Sequence, residues 1–218
     1  MTVAAILLAG GESTRMGVPK PLLEWCPSTG LRTGGYTLIE YQLAQLKGPP
    51  VDRVVVVLGH GADDVLPYVR SADAQAVVND LYAEGRASSL RVGAAALPDD
   101  TTAVLILNVD QPRPHDVIAR LVDVHRHSGS LITIPTYEEK RGHPPVLDGS
   151  LLPELREASE ATQGLRAIIA RHESDVTELA FETASVLLDL NQPQEYQQAR
   201  ASYFAPQTPA AATGRPSE

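Results

Sequence analysis

The chain has 218 residues, and its 18 lysines and arginines against 27 aspartates and glutamates give a formal net charge of −9 at pH 7. Its length suits one sizeable core, and its single cysteine, Cys26, excludes an intrachain disulfide and a cysteine-rich metal centre, as is usual in the cytoplasm. The acidic balance argues against a nucleic-acid surface and the apolar runs are too short to span a membrane, so we expect anions to be bound only at a small local site.

Short apolar, β-branched runs alternate with helical patterns along most of the chain. The predicted strands are Val3 to Leu8, Arg53 to Leu58, Ala76 to Asn79, Ala103 to Val109 and Leu131 to Pro135. Helical patterns cover residues 38–46, 62–70, 88–97 and 115–127. Near-continuous apolar strands that alternate with helices are typical of a sheet covered on both faces. The expected fold class is α/β, a Rossmann-like three-layer sandwich with a mostly parallel sheet.

Two segments depart from this alternation. Residues 24–37 are rich in Gly, Pro, Ser and Thr and are predicted to form a loop, and whether it is an active-site lid stays open. Residues 205–218 have almost nothing to bury and are predicted to be a disordered tail after a domain of residues 1–204. The stretch from Leu151 to Leu190 mixes helix and strand signals.

The most informative stretch, Leu7 to Leu23, has the sequence LLAGGESTRMGVPKPLL. A buried strand ends in Gly10 and Gly11, which lets the backbone approach a ligand and point N–H groups at phosphate oxygens. Arg15 and Lys20 add two cations that would suit a triphosphate. A Gly-Gly pair after a strand is also commonly just a turn. Neither the G-x-G-x-x-G fingerprint nor the P-loop is present.

This stretch resembles the signature of the MobA-like nucleotidyltransferases, L-A-[AG]-G-x-[SG]-x-R-[ML]-G-x-x-K. The matching residues are Leu8, Ala9, Gly10, Gly11, Ser13, Arg15, Met16, Gly17 and Lys20. The resemblance implies a fold of the nucleotide-diphospho-sugar transferase type. It also implies that the loop from Leu8 to Gly11 wraps a nucleoside triphosphate, and that Arg15 and Lys20 neutralise its phosphates and act in catalysis.

A second match lies at the end of the fourth predicted strand, where Asn108 to Pro112 is similar to the family's G-D-x-P segment, with Val109 in place of the glycine. Asp110 follows a parallel strand, where α/β sheets bind ligands, and is a candidate catalytic residue, nucleotide contact and Mg²⁺ ligand. Taken alone, this segment would be better explained as a helix cap or a turn, and it is the first motif that favours a ligand site. The resemblance puts Gln111 and Pro112 on the acceptor side.

A third match, Asp189 to Tyr196, is similar to the family's D-[IV]-[DN]-T-P-E-[DE]-[YL] ending. The third position of this pattern is the second protein ligand of the metal in the family, so the resemblance assigns that role to Asn191. The implied metal is Mg²⁺, with Mn²⁺ as the alternative. Asn-Gln-Pro could also cap the last helix, which is compatible with metal binding.

Weaker features favour the branch of molybdenum cofactor cytidylyltransferases. The segment from Asn79 to Gly93 resembles N-x-x-[WY]-x-x-G-x-x-x-S-L-x-x-G, which makes Ser89 the candidate that contacts the cytosine, with Asn79 in support. A helix cap would explain the serines equally well. Gly142-His143-Pro144 is similar to a segment that lines the acceptor side in that branch, although a histidine beside a proline is often structural.

The resemblance implies a Mg²⁺-dependent transfer of CMP from CTP to the terminal phosphate of a molybdopterin-type cofactor, with release of pyrophosphate. A molybdoenzyme that receives the product would be a partner. Two alternatives stay open. One is a guanylyltransferase using GTP, or another NTP transferase with a different phosphorylated acceptor. The other is a carrier that binds nucleotide or cofactor without turnover.

Overall fold

The computed structural model describes residues 2–13, 16–26 and 35–204, which form a mixed, mostly parallel sheet with helices on both faces. The strands are β1 Val3–Leu8, β2 Glu24–Cys26, β3 Tyr36–Thr37, β4 Arg53–Leu58, β5 Gln75–Val78, β6 Ala103–Asn108, β7 Ile132–Tyr137, β8 Lys140–Arg141, β9 Val146–Asp148 and β10 Val176–Ala180. The α-helices are α1 Leu38–Leu46, α2 Ala62–Ser71, α3 Arg86–Ala95, α4 His115–Ser128, α5 Leu152–Arg156, α6 Leu165–Arg171 and α7 Pro193–Tyr203.

The main sheet has the strand order β10-β7-β9-β6-β1-β4-β5, with β8 paired to β7. The pairs that join β1 to β4, β1 to β6, β4 to β5 and β7 to β10 are parallel. The antiparallel strand β9 lies between β6 and β7. The strands β1 and β6 are parallel neighbours in the middle of the sheet, so their carboxyl ends lie side by side.

The central strand β1 shows why the fold has three layers. Val3, Ala5 and Leu7 belong to a core cluster shared with α1, α2 and α4. Ala4 and Ile6 belong to a second cluster, shared with α3, α5 and α6. Successive side chains of a strand point to opposite faces, so an apolar run without alternation must be buried on both. The predicted α/β three-layer fold is confirmed.

Three boundaries differ from the sequence prediction. The third predicted strand ends at Val78 because Asn79 turns its side-chain oxygen to the N–H of Leu81, 3.0 Å away. The fourth ends at Asn108, which leaves Val109 and Asp110 in the turn. Helix α3 begins at Arg86, two residues early, because the Ser88 hydroxyl lies in its first turn and donates to the Gly85 carbonyl at 2.7 Å.

The prediction that residues 24–37 form a loop is wrong at both ends, where β2 and β3 pair in antiparallel fashion. The buried Trp25 explains β2, because its ring packs against Tyr41, Tyr196 and Tyr203. Residues 27–34 and the predicted tail 205–218 lie outside the described residues. Within the described ranges, no helix has both the length and the apolar character needed to cross a membrane.

Candidate active site

A cleft of about 480 Å³ opens at the carboxyl ends of β1 and β6, and we call it the cleft throughout. Four segments distant in sequence supply its polar lining: the turn after β1, the start of α3 with the turn before it, the turn after β6 and the segment before α7. The predicted site residues that line it are Leu8, Ala9, Gly10, Gly11, Lys20, Ser89, Asp110, Gln111 and Asn191. The structure thus brings together residues from four of the five sequence motifs, and Gly142-His143-Pro144 is the one that does not line the cleft.

The glycine turn lies against the turn that follows β4. A Cβ on Gly10 would come within 2.9 Å of the Gly59 nitrogen, and the His60 N–H donates to the Gly10 carbonyl at 3.1 Å. Only a glycine fits this approach between two backbones. A Cβ on Gly11 would meet nothing within 4 Å, so this residue faces the open cleft. Arg15, the predicted partner of Lys20 in phosphate binding, lies outside the described residues.

Lys20 joins the other two polar segments of the cleft. Its ammonium donates to the Asp110 carboxylate at 2.6 Å and to the Asn191 amide oxygen at 2.8 Å. Its backbone N–H donates to the Ser13 hydroxyl at 2.9 Å, which holds the lysine segment onto the glycine turn. Both charged side chains are largely shielded from solvent, with 13% exposed for Lys20 and 19% for Asp110. A positive atom therefore lies between the two residues predicted as metal ligands.

The oxygen atoms of Asp110 and Asn191 could supply part of the ligands that a hard divalent cation needs. One carboxylate oxygen and one amide oxygen already converge on a single positive atom, as Mg²⁺ or Mn²⁺ would require. Within the described residues, no group of three or more His, Cys, Asp or Glu side chains could hold a metal by itself. A magnesium ion is commonly held by one or two carboxylates together with substrate phosphates, so this sparse set is sufficient only with a nucleotide bound. The exposed Asp189 also lines the cleft and is a third acidic candidate.

Arg113 fixes the turn that carries Asp110, and sequence reasoning missed it. Its side chain is fully buried and donates to the carbonyls of Pro112, His143, Val186 and Leu188 at 2.8–3.0 Å. Burial lowers its pKa to about 10, so it remains charged at neutral pH. The guanidinium joins three segments around the site. The position of this arginine directly after Asp-Gln-Pro is the one hint in the sequence. The sequence alone does not show that the side chain is buried, and arginine is rarely buried without a partner.

Asn79 supports the wall of the cleft without lining it. Its buried amide donates to the hydroxyls of Ser88 and Ser89 at 2.8 and 3.0 Å. Ser89 does line the cleft. Asn79 thus positions the serine that sequence reasoning assigns to the base, which remains a prediction.

A second cavity of about 700 Å³ adjoins the cleft, and we call it the outer pocket. The two share Leu8, Arg86, Gln111 and Asp189. Of the predicted acceptor residues, Gln111 and His143 line the outer pocket, whereas Pro112 is buried and lines neither cavity.

His143 is neutral in this setting. Burial and the nearby guanidinium groups of Arg86, Arg113 and Arg166 lower its pKa to about 4. Its carbonyl accepts from Arg113 and its N–H donates to the Val186 carbonyl at 2.9 Å. The imidazole is therefore an uncharged wall of the outer pocket at neutral pH.

Comparison with known proteins identifies a family that the chain matches. Over residues 5–176 the chain matches the MobA-like NTP transferase domain. It is 32% identical over 183 residues to the bifunctional protein GlmU of Corynebacterium aurimucosum, a match that covers 76% of this chain but only 35% of that protein. The chain therefore spans well under half of this relative's length.

Two further relatives match along most of their own length. The chain is 30% identical over 176 residues to nicotine blue oxidoreductase of Paenarthrobacter nicotinovorans, covering 77% of this chain and 81% of that protein. It is 22% identical over 202 residues to the molybdenum cofactor cytidylyltransferase of Escherichia coli, covering 92% and 97%.

Solved structures agree with the fold. The chain resembles Rv0371c of Mycobacterium tuberculosis with a TM-score of 0.73 and 25% identity, over 92% of this chain and 98% of that one. A complex of the same protein with manganese gives a TM-score of 0.70 at 25% identity, over 93% and 100%.

Proposed function

The chain belongs to the MobA-like NTP transferase family, and we propose that it transfers CMP from CTP to the terminal phosphate of a molybdopterin-type cofactor. Nucleotidyl transfer is the chemistry of the family. The choice of CTP, the acceptor, the divalent metal and the cytoplasmic setting are our proposal.

The observation that carries the proposal is the meeting of Lys20, Asp110 and Asn191 between a glycine turn and a second pocket. A nucleotidyl transfer must bring two anions together, and this requires a cation at the point where they meet. The cleft holds such a point.

The chain's own residues can position the reactants. The backbone N–H groups of Gly10 and Gly11 are candidates to bind the triphosphate oxygens. Lys20 releases one or both of its oxygen partners and turns its ammonium to the phosphates. A phosphomonoester is largely ionised at neutral pH, because its second pKa is about 6. The acceptor therefore needs no general base, and His143, which is neutral, is not required to accept a proton.

A divalent metal held by Asp110 and Asn191 would supply a Lewis acid that screens the two anions and stabilises the departing pyrophosphate. The manganese complex of Rv0371c supports a divalent ion in this fold. Mg²⁺ is our first choice, with Mn²⁺ as the alternative.

Fewer observations support the choice of cytosine as the base and of a molybdopterin-type cofactor as the acceptor. Ser89 lines the cleft with Asn79 behind it, which supports contact with a cytosine. The similarity to the molybdenum cofactor cytidylyltransferase covers nearly the whole chain at low identity. We propose that Gln111 and His143 contact the acceptor, because both line the outer pocket. A molybdoenzyme would then receive the product.

The test is pyrophosphate release with CTP, GTP, ATP or UTP in the presence of Mg²⁺ and molybdopterin-type cofactor. We expect turnover with CTP and a product whose mass equals that of the cofactor plus CMP. A clear preference for GTP would show that the nucleotide is GTP and not CTP. Turnover only with another phosphorylated compound would show that the acceptor is not a molybdopterin-type cofactor. No turnover with any combination would favour a carrier.

A further inference from the structure

A glutamine lies on the buried face of helix α1. The buried residues of this helix are Leu38, Ile39, Gln42, Leu43 and Leu46, and the side chain of Gln42 is as fully buried as its apolar neighbours. An amide removed from water costs free energy unless its polar atoms are hydrogen-bonded, so an apolar residue would be the ordinary choice at this position. The contacts that Gln42 makes should therefore explain why the position is polar.

The amide of Gln42 joins both ends of the turn after β6. Its nitrogen donates to the Asn108 carbonyl at 3.1 Å and to the Gln111 carbonyl at 2.8 Å. Its oxygen accepts the backbone N–H of Arg113 at 3.4 Å. The two carbonyls lie on either side of Asp110 in the chain. One buried side chain thus holds the backbone on both sides of the proposed metal ligand.

The same turn is bonded to the segment that carries the second proposed ligand. The Leu190 N–H donates to the Asp110 carbonyl at 2.9 Å, and Asn191 is the next residue. The side chains of Asp110 and Asn191 both contact the ammonium of Lys20, at 2.6 and 2.8 Å. A turn held by Gln42 therefore also sets where Asn191 lies relative to Asp110.

A second glutamine of α1 has a different target. The side-chain oxygen of Gln45 accepts the backbone N–H of His115 at 2.8 Å, and its carbonyl contacts the His115 ring at 2.9 Å. His115 is the first residue of α4, so this contact lies beyond the turn that carries Asp110. Gln45 fastens one helix to another, whereas Gln42 fastens α1 to the turn itself.

The orientation of each ligand matters greatly in a site with so few of them. The chain offers one carboxylate oxygen and one amide oxygen where Lys20 now lies. Groups that hold a metal ligand from behind commonly change metal affinity or activity by about 10- to 100-fold when they are removed. Gln42 is such a group, because it is bonded to the main chain on both sides of Asp110.

We propose that Gln42 is a positioning residue for the divalent metal, and that it keeps the Asp110 carboxylate in place by holding the carbonyls of Asn108 and Gln111. This inference rests on the proposed function in taking Asp110 and Asn191 as metal ligands. It adds a residue that belongs to none of the sequence motifs. Gln42 lines neither the cleft nor the outer pocket, so it acts through the turn and not by contact with a substrate.

The first measurement needs neither nucleotide nor metal. Gln42→Met keeps the length of the side chain and removes its hydrogen bonds, and Gln45→Met is the matched control on the same helix. Amide hydrogen exchange of residues 109–113 should be about tenfold faster in Gln42→Met than in the wild-type protein, relative to β4, because at least one hydrogen bond of the turn is lost. In Gln45→Met, exchange in this segment should stay within about twofold of wild type.

The second measurement reports on the metal, which a merely structural glutamine would not affect. Mn²⁺ is titrated into protein saturated with the α,β-methylene analogue of CTP or of GTP, whose bridge cannot be cleaved. Electron paramagnetic resonance follows the protein-bound ion, with the nucleotide alone as the blank. The Mn²⁺ concentration at half-saturation should rise about tenfold in Gln42→Met and stay within about twofold of wild type in Gln45→Met.

Kinetics separate positioning from nucleotide binding. In Gln42→Met, the metal concentration for half-maximal turnover should rise about tenfold, while the KM for the nucleotide at saturating metal stays within about twofold of wild type. Gln42→Glu has the same shape, and its ionised carboxylate donates to neither carbonyl. It should shift the metal response in the same direction, and it replaces Gln42→Met if that variant does not fold.

A shift in Mn²⁺ half-saturation below about threefold in the Gln42 variants would overturn the inference. So would an equal shift in Gln45→Met, which would reduce the role of Gln42 to packing. If the wild-type protein transfers no nucleotide but the exchange and Mn²⁺ measurements behave as expected, the proposed function fails while the role of Gln42 stands. If turnover is normal and the Gln42 variants respond to metal as wild type, only the inference fails.

Discussion

The cleft and the outer pocket differ in how their charged groups are held. In the cleft, Lys20 is bonded to Asp110 and Asn191, so the charges are balanced before any ligand arrives. In the outer pocket, Arg86 and Arg166 lack side-chain partners among the described residues. A preformed, neutralised site keeps its geometry without substrate, whereas exposed, unpaired cations are solvated by water until an anion binds. Substitutions in the cleft should therefore affect the protein and its reaction, and those in the outer pocket mainly binding.

The strongest test of the cleft is Asp110→Ala. Because Asp110 is the proposed carboxylate ligand of the metal, we expect turnover to fall by roughly a thousandfold, at the upper end of what one charge-stabilising group contributes. Pyrophosphate release measures it, with Asp123→Ala as the control, since Asp123 is exposed on the outside of α4. Activity within tenfold of wild type would remove Asp110 from the reaction.

The second test concerns the buried cation that supports the cleft. Arg113→Met leaves the carbonyls of Pro112, His143, Val186 and Leu188 without their donor, and we expect the free energy of unfolding to fall by about 3 kcal/mol or more. Denaturant unfolding measures this, and Arg113→Lys should recover part of the loss. Arg126→Met is the control, because Arg126 is exposed. An unchanged unfolding free energy would contradict the assigned role.

The third test concerns the cation of the cleft. Lys20→Met should lower kcat/KM for the nucleotide by roughly a hundredfold, because Lys20 is the cation proposed to face the phosphates. Steady-state kinetics measure this loss. Lys47→Met, at the end of α1, should behave as wild type. Equal losses in the two variants would contradict the proposed role of Lys20.

The last expected effect is on pH dependence. The pKa of His143 is about 4 in the folded protein, against the ordinary histidine value of 6.5, so the unfolded chain binds more protons between these values. Stability should therefore rise with pH from about 4 to 6.5 and be lost as pH falls through that window. Thermal unfolding at a series of pH values measures the slope, and His143→Gln should reduce it. An identical slope in that variant would show that His143 does not titrate as expected.

Much of the fold and part of the site follow from local sequence. The family, the α/β class and the strand positions of β1 and β4 are predicted correctly, because buried strands leave unbroken apolar runs. The residues of the cleft gather as the motifs indicate. Their individual roles remain predictions, and Arg15 lies outside the described residues.

The remaining features depend on contacts that local patterns do not encode. Arg113 reaches carbonyls 30 to 75 residues away, and the pairing of β2 with β3 depends on the aromatic packing around Trp25. The nearness of Arg86 to Arg166 depends on the contact between Gly164 and Ala87. The outer pocket is therefore poorly predicted from sequence, because part of its lining comes from α3 and α6, which only the tertiary fold brings together.

The most direct test of the central claim is a crystal structure of the protein soaked with CTP and Mg²⁺. Our account predicts the triphosphate along Gly10 and Gly11, the metal on Asp110 and Asn191 with Lys20 moved to the phosphates, and the cytosine at Ser89. A nucleotide bound elsewhere, or a triphosphate in the cleft with Lys20 still bonded to both oxygens and no metal between them, would contradict it.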